Sequence, residues 1–338
     1  MHNRAFQQVD VFTAKPYFGN ALAVVMDGTG LSDAQMQRFA RWTNLSETTF
    51  LLPPTPQAAA AGAHYRVRIF TSAYEMPFAG HPTLGSCHAW LRAQGAASDG
   101  MDVIIQECQI GLVKIRRSRS APGDRLAFAA PPLRHRTPCE NMEGVAAASE
   151  AGLVRTLTEA LGLQSHQILA AQFLDNGPRH FGLLVDRRDT VLQLQPDLAK
   201  LAAALPALGV TGVGLAAVAP FEPHAQPEDH SASPLILRSN REARAFSSSA
   251  PLTPAPDVEI RFFFRADTRG VGEDPVTGSF NASMAQWLMG SGRAPRQYLA
   301  AQGTVMGCEG RIHLSQDASG QVWVGGDSVT CIDGHVTI

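Results

Sequence analysis

One strand–loop–helix device occurs twice in this chain, and that repeat constrains the fold more than any other feature. The first copy runs from Arg66-Val67-Arg68-Ile69-Phe70 through Thr71-Ser72-Ala73-Tyr74-Glu75-Met76-Pro77-Phe78-Ala79 into Gly80-His81-Pro82-Thr83-Leu84-Gly85, and its apolar stretch ends near Trp90-Leu91. The second runs from Ile260-Arg261-Phe262-Phe263-Phe264 through a polar loop to Glu273-Asp274-Pro275-Val276-Thr277-Gly278-Ser279, and on to Trp287-Leu288. Both copies place a glycine and a short polar residue where a helix should begin. A helix start carries unpaired backbone N–H groups and a partial positive charge, so it suits a carboxylate or another anion. Two such starts facing each other are expected to form a cleft that grips one small anionic molecule.

The surrounding elements repeat in the same order. Gln8 to Thr13 reads as a strand, followed by a turn over Pro16 to Asn20 and a buried strand Ala21 to Val25. Leu31-Ser32-Asp33-Ala34-Gln35-Met36 opens a helix: Ser32 caps it, Gln35 completes a capping box, and Leu31 with Met36 has the spacing of a hydrophobic staple. That helix ends near Thr43-Asn44, the β-branched run Glu47 to Leu52 is the next strand, and Pro53-Pro54 stops it. In the second half the strand Phe181 to Val185, a helix from Pro196 to Ala202 and the strand Gly214 to Val218 follow suit. This is an internal duplication, each half mostly strands with one long apolar helix at its end. Sheets around those helices should bury Leu84, Cys87, Trp90 and Leu91 in one half, and Met284, Trp287 and Leu288 in the other. The halves join near Ala129-Ala130-Pro131-Pro132, which gives a first domain over 1–128 and a second over 129–324. The tail from Gly325 to His335 reads as a hairpin, so a hairpin over 325–338 is expected to complete the first domain. The Pro-, Ser- and His-rich stretch 222–256 reads as an exposed insertion in the second, with Leu235-Ile236-Leu237 as a short strand within it.

At 338 residues the chain has room for two cores, and 45% hydrophobic with 17% charged residues is a globular composition. A formal charge of -2 gives no reason to expect nucleic acid or an anionic membrane as partner. Arg116-Arg117-Ser118-Arg119 is a short basic run, read as a solvated strand end. The N-terminus lacks a signal peptide's apolar core and no apolar run reaches membrane-spanning length, so a cytoplasmic location is expected. The five cysteines lack a C-x-x-C pair and the histidines lack ligand spacing; no disulfide framework and no metal are expected.

Three loop residues carry the chemistry. Glu47 follows Asn44-Leu45-Ser46 at the junction of the capped helix and an apolar strand. Partial desolvation beside Phe50, Leu51 and Leu52 would raise its pKa toward neutrality and fit it for proton exchange. From local sequence alone the plainer reading is an exposed strand-end carboxylate. His81 lies between Gly80 and Pro82, which is well placed as a first helical residue, and it is either a site residue or a helix cap. Asp274 precedes Pro275 and reads equally as an Asx-turn residue. The duplication strengthens all three, because it brings both loops to one cleft. Cys87, on the buried face of its helix, reads as a core thiol.

Four motifs in order, Asp10-Val11-Phe12-Thr13 with Gly19-Asn20, Asn44-Leu45-Ser46-Glu47-Thr48-Thr49-Phe50, Ala79-Gly80-His81-Pro82-Thr83-Leu84-Gly85 and Glu273-Asp274-Pro275-Val276-Thr277-Gly278-Ser279, resemble the PhzF-like isomerases, relatives in fold of diaminopimelate epimerase. The resemblance covers most of the chain. It implies an α+β fold of two similar domains, each a β-barrel-like sheet wrapped around a central helix, with the active site in the cleft between them. It implies Glu47 as the proton-shuttling acid/base, with His81 and Asp274 as catalytic partners that orient the substrate or assist the transfer. Gly80, Gly278 and Ser279, with Asn20 and Ser46, are implied as substrate-binding. A cofactor-independent isomerase of a small carboxylate-bearing substrate, working as a homodimer, is the implied function. The alternatives are an amino-acid-type epimerase and a catalytically silent anion-binding protein. In the epimerase relatives a cysteine pair works from these loops, where this chain has Ala79 and Asp274. The chain also departs from the family pattern at Ala21, Phe280 and Cys308, and the bulk of Phe280 is expected to narrow the cleft or redirect its helix.

Overall fold

The computed structural model describes residues 2–120, 123–138, 150–219, 255–266 and 270–338. The first half contains β1 (Asn3–Val11), β2 (Asn20–Val25), α1 (Asp33–Thr43), β3 (Glu47–Leu52), α2 (Pro56–Ala60), β4 (Tyr65–Thr71), β5 (Glu75–Met76), α3 (Gly80–Gln94), β6 (Val103–Cys108), β7 (Gly111–Ser120) and β8 (Gly123–Ala129). The second contains β9 (His135–Pro138), α4 (Glu150–Ala160), β10 (Ile168–Asp175), β11 (Arg179–Val185), α5 (Arg188–Gln193), α6 (Leu198–Ala207), β12 (Gly212–Val218), β13 (Val258–Ala266), β14 (Gly270–Glu273), α7 (Gly278–Gly290), β15 (Gln297–Gln302), β16 (Gly310–Gln316) and β17 (Val322–Gly326), before β18 (Ser328–Thr337) closes the chain.

The pairing repeats strand for strand. In the first half β1 and β2 are antiparallel, β2 and β3 parallel, β3 and β4 antiparallel, β4 and β6 parallel, and β6, β7 and β8 follow antiparallel. In the second half β10 to β13, then β15 to β17, show the same sequence of pairings. The halves are stitched by an antiparallel β8·β17 pair. Side chains repeat the pattern as well. Arg68 grips Glu75 with two hydrogen bonds of 2.7 and 2.6 Å, and Arg261 grips Glu273 with two of 2.8 Å. Each guanidinium also lies over a phenylalanine, Arg68 over Phe70 at 5.0 Å and Arg261 over Phe263 at 5.1 Å. These bidentate pairs fix the short strand that leads into each central helix.

A helix apolar on all sides must be enclosed. Residues 80–87 of α3 are all buried, as are Leu84, Cys87 and Leu91, whereas Trp90 is only partly covered and stacks on Tyr65. In α7, Met284, Trp287 and Leu288 are buried in the same core. α1 packs outside the first sheet with its Ser32–Gln35 capping box formed and Asn44 closing it in the left-handed region; α4 and α6 cover the second. Among the described residues no helix is long and apolar enough to cross a membrane.

Four local readings change. β1 starts at Asn3, where β18 pairs with it, and ends at Val11 because Phe12 has φ 65°. The tail is not a hairpin: β17 pairs with β16 and β8, whereas β18 crosses over to pair with β1. Asp327 makes that switch between Thr13 N–H and the Arg125 guanidinium. The second outer helix starts at Leu198, capped by Asp197, and runs on to Ala207. In the basic run, Arg117 is mostly buried against Asp124 and the Ser98 carbonyl and departs from a solvated strand end, whereas Arg116, which lies 3.6 Å over the Trp323 ring, and Arg119 are exposed as read. The insertion read over 222–256, with its strand at Leu235-Ile236-Leu237, falls almost wholly on 220–254, outside the described residues.

Candidate active site

The cleft is built where α3 and α7 meet end to end. A Cβ placed on Gly278 would lie 2.9 Å from the Gly80 Cα and 3.3 Å from the His81 nitrogen, and one on Gly80 would lie 2.8 Å from the Gly278 Cα. The two glycines are therefore a direct backbone contact between the halves, not simply an opening for a ligand. Neither helix has a side-chain cap: the N-cap residues are Ala79 and Thr277, and the Thr277 hydroxyl is used elsewhere. Two partial positive ends thus converge on the space that the carboxyl groups border.

Asn20 ties the motifs together. Asp10 accepts the Gly19 N–H at 3.0 Å, and Gly19 lies so close to the Val11 carbonyl and Thr13 that a side chain there has no room. This turn delivers Asn20 to the cleft, 3% exposed. Its Nδ2 donates to Asp274 Oδ1 and to the Val276 carbonyl, each at 3.0 Å, and lies 3.4 Å from His81 Nδ1. Ser46 donates to Asn20 Oδ1 at 3.4 Å. Glu47, the first residue of β3, approaches His81 Nε2 with Oε2 at 3.5 Å. Among the described residues, both of these atoms are buried without a hydrogen-bond partner.

The structure therefore joins Asn20, Ser46, Glu47, Gly80, His81, Asp274 and Gly278 in one site. Ser279 follows in the first turn of α7, and its carbonyl accepts the Asn176 amide at 2.8 Å. Phe280 does not narrow the cleft. It is fully buried against Phe262 and His180, in space that Gly214 leaves by having no side chain. Cys87 is a core thiol, pushed up to about 12 by burial.

Burial sets the electrostatics. It raises Glu47 to about 7, aided by the charge of Asp274 and opposed by the Ser46 hydroxyl. It also raises Asp274 to about 7, against the Thr277 hydroxyl, the Val276 backbone and Asn20. His81 is lowered to about 3 by burial alone, so its contact with Glu47 is that of a neutral imidazole rather than an ion pair. The site holds two carboxyls poised near neutrality beside a neutral ring, an arrangement suited to moving one proton.

Three polar residues of this site lie outside the sequence assignments. Thr277 donates to Asp274 Oδ2 at 2.7 Å, Gln302 at the end of β15 donates to Thr277 and to the Asp274 carbonyl, and Asn281 donates to Gln302. Thr277 stands inside a motif quoted for other residues. Gln302 has no local signal; only the parallel β13·β15 pairing brings it in.

The family model for phenazine biosynthesis-like proteins matches residues 9–225 and 233–334. The chain belongs to the PhzF-like isomerase family. A relative named antisense-enhancing sequence 1, from Schizosaccharomyces pombe, is 30% identical over 99% of each chain. The trans-2,3-dihydro-3-hydroxyanthranilate isomerase of Pseudomonas fluorescens is 34% identical over 58% of this chain and 62% of its own. A PhzF-family phenazine biosynthesis protein from Bacillus anthracis has the same fold over the full length of both chains, with a TM-score of 0.74 at 20% identity. The PhzF-like fold extends to a hydroxyproline epimerase from Agrobacterium vitis, at a TM-score of 0.51 and 13% identity over 99% of this chain and 92% of that one. The two-domain, epimerase-like α+β architecture is thus established by strand pairing and by likeness.

Proposed function

We propose that this PhzF-like protein is a cofactor-independent isomerase in which Glu47 carries a proton between two carbons of a small carboxylate-bearing metabolite. One observation carries the reading: the Glu47 carboxyl is buried and raised to about 7, and among the described residues its Oε2 has no hydrogen-bond partner, beside an equally unpartnered His81 Nε2. A buried polar atom left unpaired is costly, and a bound substrate would offset that cost. The uncapped first turns of α3 and α7 supply N–H groups for the substrate carboxylate. General acid/base transfer by such a group contributes about 10²–10⁴-fold, with the oriented helix ends adding electrostatic stabilisation.

The substrate named for the Pseudomonas relatives, trans-2,3-dihydro-3-hydroxyanthranilate, is the first compound to offer, followed by a panel of unsaturated and α-amino carboxylates in D₂O. The expected product carries deuterium at a new carbon and a relocated double bond. Glu47→Gln is expected to lose at least about 10²-fold in turnover while keeping ligand binding; a variant within a few-fold of wild type would refute the role of Glu47. An epimerase would instead label a stereocentre and leave the bonds in place, so the same experiment separates the two activities.

A further inference from the structure

Two buried carboxyls that both ionise near neutrality share a proton, and the direction of the surrounding hydrogen bonds decides which of them holds it. The orientation of Gln302 is fixed by two backbone groups of opposite polarity. Its Oε1 accepts the Thr277 N–H at 3.1 Å, which can only donate, and its Nε2 donates to the Asp274 carbonyl at 2.9 Å, which can only accept. The second hydrogen of Nε2 goes to Thr277 Oγ1 at 3.0 Å, so the Thr277 hydroxyl must turn its own hydrogen toward Asp274 Oδ2, 2.7 Å away. Asn281 holds the arrangement from behind, donating to the Thr277 carbonyl and to Gln302 Oε1. On the other side, the Asn20 amide is oriented by the Val276 carbonyl and gives its remaining hydrogen to Asp274 Oδ1. Each oxygen of Asp274 therefore faces a donor, whereas among the described residues Glu47 Oε2 has no hydrogen-bond partner.

We propose that Gln302 and Thr277 are positioning residues that keep Asp274 as the carboxylate of the pair and leave its single proton on Glu47. This rests on the isomerase reading and deepens it, because a Glu47 that rests protonated gives a proton to the substrate before it takes one back. The bond from the Glu47 oxygen to hydrogen breaks as a carbon–hydrogen bond forms. The carboxylate so produced then removes a hydrogen from a second carbon, and the enzyme returns to its starting state with no external acid or base. Other titratable groups near Asp274 are His81 from α3, Glu273 from β14, Cys308 from the loop after β15 and, beyond Cys308, Asp10 from β1. His81 is neutral, Arg261 holds Glu273 with two hydrogen bonds, Asp10 accepts the Gly19 N–H, and burial together with the Asp10, Asp274 and Glu273 charges raises the Cys308 thiol.

The test is ¹³C NMR of side-chain carboxyl carbons in the full-length protein, titrated from pH 5 to 9, with Glu47→Gln and Asp274→Asn assigning the two signals. In the wild type, the Asp274 carbon should ionise first, at lower pH than the Glu47 carbon, which should titrate last. Thr277→Val removes the donor while keeping the shape. It should raise the Asp274 midpoint and lower the Glu47 midpoint by about one pH unit, tenfold in its ionisation equilibrium, whereas Thr277→Ser should restore the wild-type curves. The proposal is overturned if Glu47 ionises before Asp274 in the wild type, or if folded Thr277→Val leaves both curves unchanged. A protein that titrates as stated but turns over no carboxylate would sink the isomerase reading and leave the proton assignment standing; turnover with a Glu47 that ionises before Asp274 would do the reverse.

Discussion

Glu47→Gln should produce a protein that is dead as a catalyst and whose stability relative to wild type rises as the solution turns alkaline. The native state raises this carboxyl from 4.5 to about 7, mainly through burial. Its protonated form is therefore the one that fits the fold. At ~1.4 kcal/mol per tenfold change, the displacement is worth on the order of 3 kcal/mol. Between those values the native state binds more protons than the unfolded chain, so this contribution is fully present below about pH 4.5 and lost as pH rises through about 7. Glutamine cannot ionise and escapes that loss, although its amide carries its own pH-independent cost in the same place. The informative quantity is the difference in unfolding free energy between variant and wild type, from urea titrations at intervals from pH 5 to 9. It should rise in favour of the variant through pH 7 and level off by about pH 8.5, with a span of up to ~3 kcal/mol. Asp274 is present in both proteins, so the difference reports Glu47 and its coupling to that neighbour. A flat difference across the whole range would show that Glu47 is solvated like an ordinary surface carboxylate, and the argument for its role in proton transfer would lose its physical basis.

The remaining predictions probe the scaffold and the proton. Gly278→Ala should cost about 1–3 kcal/mol in thermal or urea unfolding, since the new methyl meets Gly80 backbone that cannot step aside; unchanged stability would mean that the two helix starts are not in contact. Arg261→Met should cost ~3–5 kcal/mol by leaving Glu273 charged and largely buried, whereas Glu309→Ala, which breaks an exposed pair with Lys15, should cost under about 1 kcal/mol. Equal losses in urea titrations would contradict that ranking. Iodoacetamide followed by peptide mapping should modify Cys308 and Cys331 in the native protein and leave Cys87 untouched until the chain unfolds. With a turned-over carboxylate in hand, kcat/KM should fall as pH rises through about 7, because the proton-loaded Glu47 is the reactive form; a rate that rises over that interval would assign Glu47 as the initial base.

Much of the frame is legible without coordinates because it rests on short-range chemistry. Ser32 and Gln35 announce α1 through their capping box, and Glu47 to Leu52 marks β3 because a β-branched run lies between a helix end and two prolines. The convergence of Asn20, Glu47, His81 and Asp274 follows from the duplication and the motifs together. What local sequence does not carry is direction and long-range pairing. Phe280 is one helical step from Ser279, and nothing nearby says that it turns away from the cleft; the answer lies in Gly214, on a strand that packs against it. The run around Gly325 and Ser328 looks like two strands and a turn, yet on either side of Asp327 the strands part: β17 lies between β16 and β8, whereas β18 crosses to β1. A stronger repeat signal was present: Arg-x-Phe followed by Glu-x-Pro-x-x-Gly occurs at Arg68 to Gly80 and at Arg261 to Gly278, and both copies form the same bidentate pair.

That repeat also shows that the two carboxyls of the site are not copies of each other. Glu47 pairs with Leu22 on one side and Thr71 on the other; in the second half Gly212 pairs with His180 and Phe264 in the same registers. Gly212 is therefore the counterpart of Glu47, and a side chain there would fall on the Phe262 ring. The counterpart of Asp274 is Met76, each standing one residue after the arginine-bound glutamate and four before the helix-start glycine. Each half thus gives the cleft one carboxyl, at a place where the other half has none. The two are not equivalent in freedom: Asp274 is bound by Asn20 and Thr277, whereas among the described residues Glu47 Oε2 is unpartnered. A two-base epimerase needs a free proton carrier on each face of its substrate. One carboxyl tied down and one free instead favour a single carrier that gives and takes at different carbons, with the bound carboxylate supplying the charge that keeps the proton on its neighbour.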